Sequence, residues 1–486
     1  MTPLHCQGGG GNCNSREVYV VDAICEGRCG DKKTEEDGAM RNWQRTLHSR
    51  MFPPLVGEGF TFGVELLSPR DPSLASTFCD AVALVRPYRP AYYILPMKAP
   101  YFTASGCSGL QTAVDCVRQI GGRVILTVTA TMSADDNNNM AATYEGVRRI
   151  LHDFVVKRGG DSLLLLRGDA MLQRQGDQAS SQTKERHGDF QDSVELLQFV
   201  AREVKGLADA PVSLFSSGYS QGHPMDRIWD GDRQASLSFM EELSNGINER
   251  GVDNTGHLST RTWDAACVNV RKLIHRVEQV LSLRDVPSDL PHDARQRAVQ
   301  TLVLEKILRH GVRGIITQML TSAEEFNAYV NDVRRELRHA DAGELVDEVV
   351  VLPTIMAPLA AEEYTRLLLF TKTIPSAAVQ QALRAYRDGL KAAVASATRL
   401  GTSDEEKVCA LMSTKTALEE TFRRRLEDET LAMCRTLFLS GHRHLNCSAF
   451  KSTYLPLLLR LLDRLQEEAN GHCGASPVRG SCPSFL

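Results

Sequence analysis

The chain has 486 residues, 42% hydrophobic and 24% charged, with a formal net charge of −4 at pH 7. That is the balance of an ordinary globular protein, and it lacks the basic footprint of a nucleic-acid binder. The longest apolar stretch, residues 349–361, is interrupted by Pro353 and Pro358 and is too short for a bilayer, so no membrane partner is expected.

Residues 1–55 read as a flexible extension, rich in Gly, Asn, Asp and Lys around Gly8 to Gly11 and Gly27 to Gly38. No basic region followed by an apolar one opens the chain, and the 13 scattered cysteines suit reduced thiols, so a cytoplasmic location is expected. Cys6, Cys13, Cys25 and Cys29 lack the spacing of zinc knuckles, and no metal is expected.

From Phe60 a strand–helix rhythm sets in. Strands are predicted at Phe62–Leu67, Ala91–Met97, Arg123–Thr129, Leu163–Leu166, Val212–Ser217, Gly314–Leu320, Glu348–Leu352 and His444–Cys447. Helices are predicted between them at Pro72–Val85, Cys107–Ile120, Met140–Val156, Phe190–Val204, Ala323–Leu337, Ala361–Thr371 and Tyr454–Gln466. Such alternation implies a parallel sheet, and eight units favour closure into a (β/α)8 TIM barrel over residues 56–470. Two helical stretches, about 226–300 (with Gln234–Asn248 and Trp263–Ser282) and 375–434, exceed the rhythm and read as loop insertions; residues 471–486 form a tail.

Chemistry in such barrels sits at the carboxyl ends of the strands. Leu163-Leu-Leu-Leu-Arg-Gly-Asp169 reads as a strand buried on both faces that ends in a polar tip; the alternative is that Asp169 caps the next helix, the commoner role of a single strand-end Asp. Glu65 lies in an apolar strand, where burial raises a carboxylate toward the range a general acid needs at neutral pH; the alternative is a solvated strand residue. Gln318 ends Gly314-Ile-Ile-Thr-Gln and can read a heterocycle edge, or, with Thr317, bond only to backbone. Gly218-Tyr-Ser-Gln-Gly-His-Pro224 supplies a ligand loop whose lone His can instead be structural.

Together the blocks Phe62-Gly-Val-Glu-Leu-Leu-Ser-Pro69, Leu164-Leu-Leu-Arg-Gly-Asp169, Gly218-Tyr-Ser-Gln-Gly-His-Pro224, Gly314-Ile-Ile-Thr-Gln318 and Leu352-Pro-Thr-Ile-Met-Ala-Pro358 resemble, in order, those of the methylenetetrahydrofolate reductase family. The resemblance implies a flavoprotein of one-carbon metabolism and methionine biosynthesis. In that family NADH or NADPH reduces FAD, which passes hydride to 5,10-methylenetetrahydrofolate. It implies catalytic and substrate-binding roles for Glu65, Asp169 and Gln318, with Glu65 as the acid. It implies cofactor contacts at Thr127, Arg167, Gly168, Asp169, Ser193, Tyr219 and His223. A homo-oligomer is compatible with it.

The sequence departs from the family pattern at Ile125, where a His is usual, and at Ile307, where a lysine near the FAD phosphates is usual, with Lys306 one position away. The expectation is a catalytic set better kept than the cofactor-holding set. A paralogue that no longer binds FAD and serves as a regulatory or assembly partner is the second reading. A proline-dehydrogenase-like flavin barrel is a third, opposed by Glu65 and the Gly-Tyr-x-x-Gly-His-Pro block.

Overall fold

Short runs of Val, Ile and Leu, each followed by an amphipathic helix, leave every strand with two apolar faces to cover. In the computed structural model they are covered by closing the sheet. Eight parallel strands form a barrel in sequence order, β8 pairing back with β1. The strands are β1 (Thr61–Glu65), β2 (Tyr92–Leu95), β3 (Val124–Thr129), β4 (Ser162–Leu166), β5 (Ser213–Gly218), β6 (Gly314–Met319), β7 (Val350–Met356) and β8 (His444–Ser448). The fold is a (β/α)8 TIM barrel.

The structure describes residues 51–52, 59–69, 72–96, 104–130, 143–167, 190, 192–207, 212–221, 262–283, 289–449 and 452–471. The chain divides into residues 1–43, outside the described residues, and residues 44–486, which carry the barrel. The Cys6 to Cys29 set, Gly168, Asp169, His223 and the helix expected at Gln234–Asn248 all lie outside the described residues. Among the described residues no helix is long and apolar enough to cross a membrane, and no group of His, Cys, Asp and Glu could hold a metal.

The helices are α1 (Ala75–Val85), α2 (Ala104–Gln119), α3 (Tyr144–Leu151), α4 (Ser193–Leu207), α5 (Trp263–Ser282), α6 (Asp289–Gln300), α7 (Ala323–His339), α8 (Ala361–Thr371), α9 (Ala377–Arg399), α10 (Asp404–Leu439) and α11 (Leu455–Gly471). Wider turns extend α3 through His152–Lys157 and α6 through Thr301–Leu308. The main core lies between strands and helices, with Val64, Leu126, Leu163, Leu165 and Ile315 turned outward into it. Helices in the two inserted stretches pack on each other, α5 against α9 and α10, and α5 also lies against the barrel helix α8.

Three boundaries correct the sequence reading. β1 stops at Glu65, so this residue ends the strand instead of lying inside it. The helix after β3 starts at Tyr144, because the Thr143 hydroxyl accepts the Gly146 N–H at 3.0 Å and caps it. β7 begins at Val350 and continues through Pro353 to Met356.

The barrel interior is apolar at its amino end. Gly63 and Gly314 leave room for the rings of Tyr92 and Phe215; a Cβ on either glycine would stand 1.9 Å and 2.0 Å from those rings. Phe52 closes the end from below, edge-on to Tyr92, Phe215 and His444 at centroid separations of 5.9, 6.4 and 5.5 Å. Met51, fully buried beside it, accepts a contact from the Ser162 hydroxyl at 3.7 Å.

Candidate functional site

With the amino end plugged by aromatic rings, the accessible polar residues of the interior gather at the opposite mouth. Strand side chains alternate between faces. Val64 packs into the outer core, so Glu65 faces inward at the tip of β1, half-buried, level with Ile94 of β2 and Ser448 of β8. By the same alternation Thr129 of β3, Leu166 of β4 and Ser217 of β5 face inward at the tips of their strands, all half-buried.

Gln318 reaches this mouth through an irregularity. Ile316 of β6 pairs with Leu352 of β7, but the next pair is Met319 with Thr354, so Thr317 and Gln318 together oppose Pro353. Two residues against one is a β-bulge, a device that re-aims side chains. Pro353 brings no N–H to the ladder. The gap is mended by a reciprocal pair: the Thr354 N–H donates to the Thr317 hydroxyl at 2.9 Å, and the Thr354 hydroxyl donates to the Thr317 carbonyl at 2.5 Å. Thr317 therefore takes the backbone-bonding role, and Met319 turns into the outer core. Gln318 between them is half-buried on the inward side.

Below the mouth lies a buried polar layer, of which the resemblance had pointed to Thr127 but not to the pair Asn446 and Thr354. Asn446 of β8, 1% exposed, donates its amide to the Thr354 hydroxyl at 3.0 Å. Its side-chain carbonyl, and the hydroxyl of Thr127 on β3 (3% exposed), have no partner among the described residues. A buried acceptor or hydroxyl without a partner costs roughly 1–3 kcal/mol, so such atoms suit polar edges of a bound molecule. The available signal was an Asn between two apolar residues, Leu445 and Cys447, of a short strand.

The remaining cofactor candidates divide. Arg167 follows β4 directly and is half-buried. Tyr219 follows β5, and the Ser217 hydroxyl donates to its phenol oxygen at 3.0 Å, which holds the ring over the mouth side of that strand. In the same loop Gln221 is a clamp: its amide donates to Glu325 at 2.8 Å and to the Ile374 carbonyl at 3.1 Å, and its oxygen accepts the Ile374 N–H at 2.9 Å. Ser193 opens α4, but Asp192 caps that helix, its carboxylate accepting the Val194 and Glu195 N–H groups at 2.7 and 3.0 Å. Those donors are turned to Asp192 and do not stand open to a phosphate.

Ile125 faces the interior fully buried, and Ile307 is fully buried in the outer core. Lys306 is drawn inward by the widened turns of Thr301–Leu308, as a one-residue rotation requires, yet it ends 7% exposed with its ammonium donating to Ser216 at 3.0 Å. Burial lowers this ammonium from 10.5 to about 8, against a pull upward from Asp192. As placed, Lys306 serves the packing of α6 on β5. Arg309 pairs with Glu305 at the surface of the same segment.

No family model matches this chain, and no curated protein matches it. Solved structures similar to it include an uncharacterized protein from Clostridium thermocellum that binds two copies of 5-methyl-5,6,7,8-tetrahydrofolic acid (8% identity over 87% of this chain and 99% of that chain, TM-score 0.37). A GH5-4 broad-specificity endoglucanase from an uncultured bacterium is as similar (9% identity, 86% and 95%, TM-score 0.37). An F420-dependent secondary alcohol dehydrogenase follows (9%, 84% and 99%, TM-score 0.34). Likeness this slight, to a folate-binding protein, a glucanase and a dehydrogenase at about equal distance, carries no argument about the reaction of this chain.

Proposed function

We propose that the barrel mouth is the active site of a flavin-dependent reductase that converts 5,10-methylenetetrahydrofolate to 5-methyltetrahydrofolate with NADH or NADPH as reductant. The observation that carries this reading is that Glu65 and Gln318, on strands β1 and β6 three apart around the barrel, both stand half-buried at its mouth end, above a polar layer with partnerless polar atoms. The ordered motif blocks supply the reaction type.

The chemistry that bound FAD would supply is hydride transfer between the nicotinamide and the folate carbon. Thr127, Arg167 and Tyr219 would hold the FAD, together with Gly168, Asp169, Ser193 and His223 as the motif resemblance implies; the unpaired Thr127 hydroxyl is the observation that fits such a group. Glu65 donates a proton to the departing ring nitrogen of the folate as its five-membered ring opens to the iminium. Positioned proton transfer of this kind contributes roughly 10²–10⁴ in rate. Asp169 offsets the positive charge of the iminium, and Gln318 orients the pterin by donating and accepting at its edge.

A second reading, a paralogue that no longer binds FAD, is favoured by one feature: Ile125 and Ile307 are apolar and sealed, and Lys306 is committed to Ser216. Titrating apoprotein with FAD separates the two. A missing hydrogen bond to a charged phosphate weakens binding roughly 10–100-fold, so the reductase reading predicts saturable FAD binding that is weaker by this factor than in relatives with the full polar set. No binding at saturating FAD selects the paralogue, and undiminished affinity refutes the argument from Ile125 and Ile307.

A further inference from the structure

Away from the mouth, two cysteines stand together on the outer ring of helices. Cys79 lies in the second turn of α1 and Cys116 in the last turn of α2, and these helices pack against each other. Phe78, Val82 and Val85 of α1 and Ala113, Val114 and Val117 of α2 are buried in the core. Cys79 and Cys116, each next to a buried position, fall at the seam between the helices, where both are half-buried. There the two side chains share a hydrogen bond. Burial, and then the neighbouring sulfur, push the Cys116 thiol up to about 12, so at neutral pH Cys116 keeps its proton and donates it toward Cys79. Cys434 and Cys447, by contrast, are sealed in the core.

We propose that Cys79 and Cys116 form a redox-active dithiol, which low-molecular-weight disulfides oxidise to a disulfide joining α1 to α2. The Cys79 thiolate attacks one sulfur of the small disulfide, forming a mixed disulfide and releasing one small thiolate. Cys116 then loses its proton, its thiolate attacks the Cys79 sulfur, and the second small thiolate leaves. The two cysteines together give up two electrons and two protons, and the small disulfide takes them up to become two thiols. With Cys79 held in the mixed disulfide, its charge no longer opposes that of Cys116, which favours the second step. Sulfurs already in hydrogen-bond contact reach the roughly 2.05 Å of an S–S bond by side-chain rotation and a small approach of the helices. Neither sulfur belongs to the mouth, and their chemistry does not depend on the reaction proposed there.

The test uses the full-length protein and oxidised glutathione, raised until Cys409, exposed on α10, carries glutathione. Remaining thiols are alkylated under denaturing conditions, and the peptides are mapped by mass spectrometry. A Cys79–Cys116 cross-link is expected in wild type, with loss of both positions to alkylation. The urea midpoint should shift upward, return on reduction, and not shift in either serine variant. In Cys116→Ser, Cys79 should hold glutathione as a lasting mixed disulfide, whereas in Cys79→Ser Cys116 should stay largely alkylatable. The wild-type map needs no variant to fold. The proposal is overturned if Cys79 and Cys116 stay reduced while Cys409 is modified, if each carries its own glutathione without a cross-link, or if either pairs with a different cysteine.

Discussion

Two residues show how neighbours decide what a side chain does. Gln318 is a strand-end Gln in sequence, and it is presented inward because Pro353 on the next strand forces a bulge that Thr317 and Thr354 then mend. Lys306 is a helical lysine in sequence, and the widened turn buries it against Ser216. Its lowered pKa has a thermodynamic consequence with a definite sign. Above about pH 10.5 the lysine is neutral in folded and unfolded chains alike, and no penalty applies. As pH falls from 10.5 to about 8 the unfolded chain binds the proton first, so stability is lost; below 8 the loss is complete and constant. A shift of this size corresponds to a penalty on the order of 3 kcal/mol, part of it offset by the Ser216 bond. Lys306→Met should therefore stabilise the protein by about 1–3 kcal/mol at pH 7, a gain that shrinks above pH 8 and disappears near 10.5. Urea unfolding at pH 7 and pH 10 measures it; lower stability of the variant at pH 7 would show that the ammonium contributes more than its burial costs.

At the scale of elements, the strands were readable because a buried parallel strand is short and largely apolar, and the helices that follow them because an apolar face recurs at helical spacing; α6 and the division of residues 375–434 into α9 and α10 were not read. Gly63 and Gly314 are glycines inside apolar runs, and the rings of Tyr92 and Phe215 are the reason. Features that depend on a partner distant in sequence were not readable: the β6–β7 bulge, the Phe52 plug and the buried Asn446–Thr354 pair. The same is true of the start of α8. No residue of its own caps it; instead Glu419 of α10 accepts the Ala361 N–H at 2.6 Å and the Tyr386 hydroxyl at 2.5 Å. Burial holds the Glu419 carboxyl above its ordinary range although these bonds draw it down. Glu419→Ala removes both bonds and should cost about 2–4 kcal/mol, with Glu419→Gln, which keeps an acceptor, costing less. Matching urea midpoints for wild type and Glu419→Ala would mean that the α8 entry does not depend on the inserted helix.

For the molecule as a whole, Phe52 and Met51 close one end of the barrel, and among the described residues the acid, the amide and the partnerless polar atoms lie toward the other. On the proposed reading, this polarity would let a single mouth take the nicotinamide and the folate in turn. The central claim is that Glu65 acts only when the folate reacts. Anaerobic stopped-flow on FAD-loaded protein tests it by following the flavin absorbance through each half-reaction. In wild type, NADH or NADPH should bleach the flavin and 5,10-methylenetetrahydrofolate should restore its colour. In Glu65→Gln the bleaching should proceed nearly unchanged, while recovery with the folate slows by roughly 10²–10⁴. Equal slowing of both steps, or a wild-type flavin that the folate cannot reoxidise, would contradict the account.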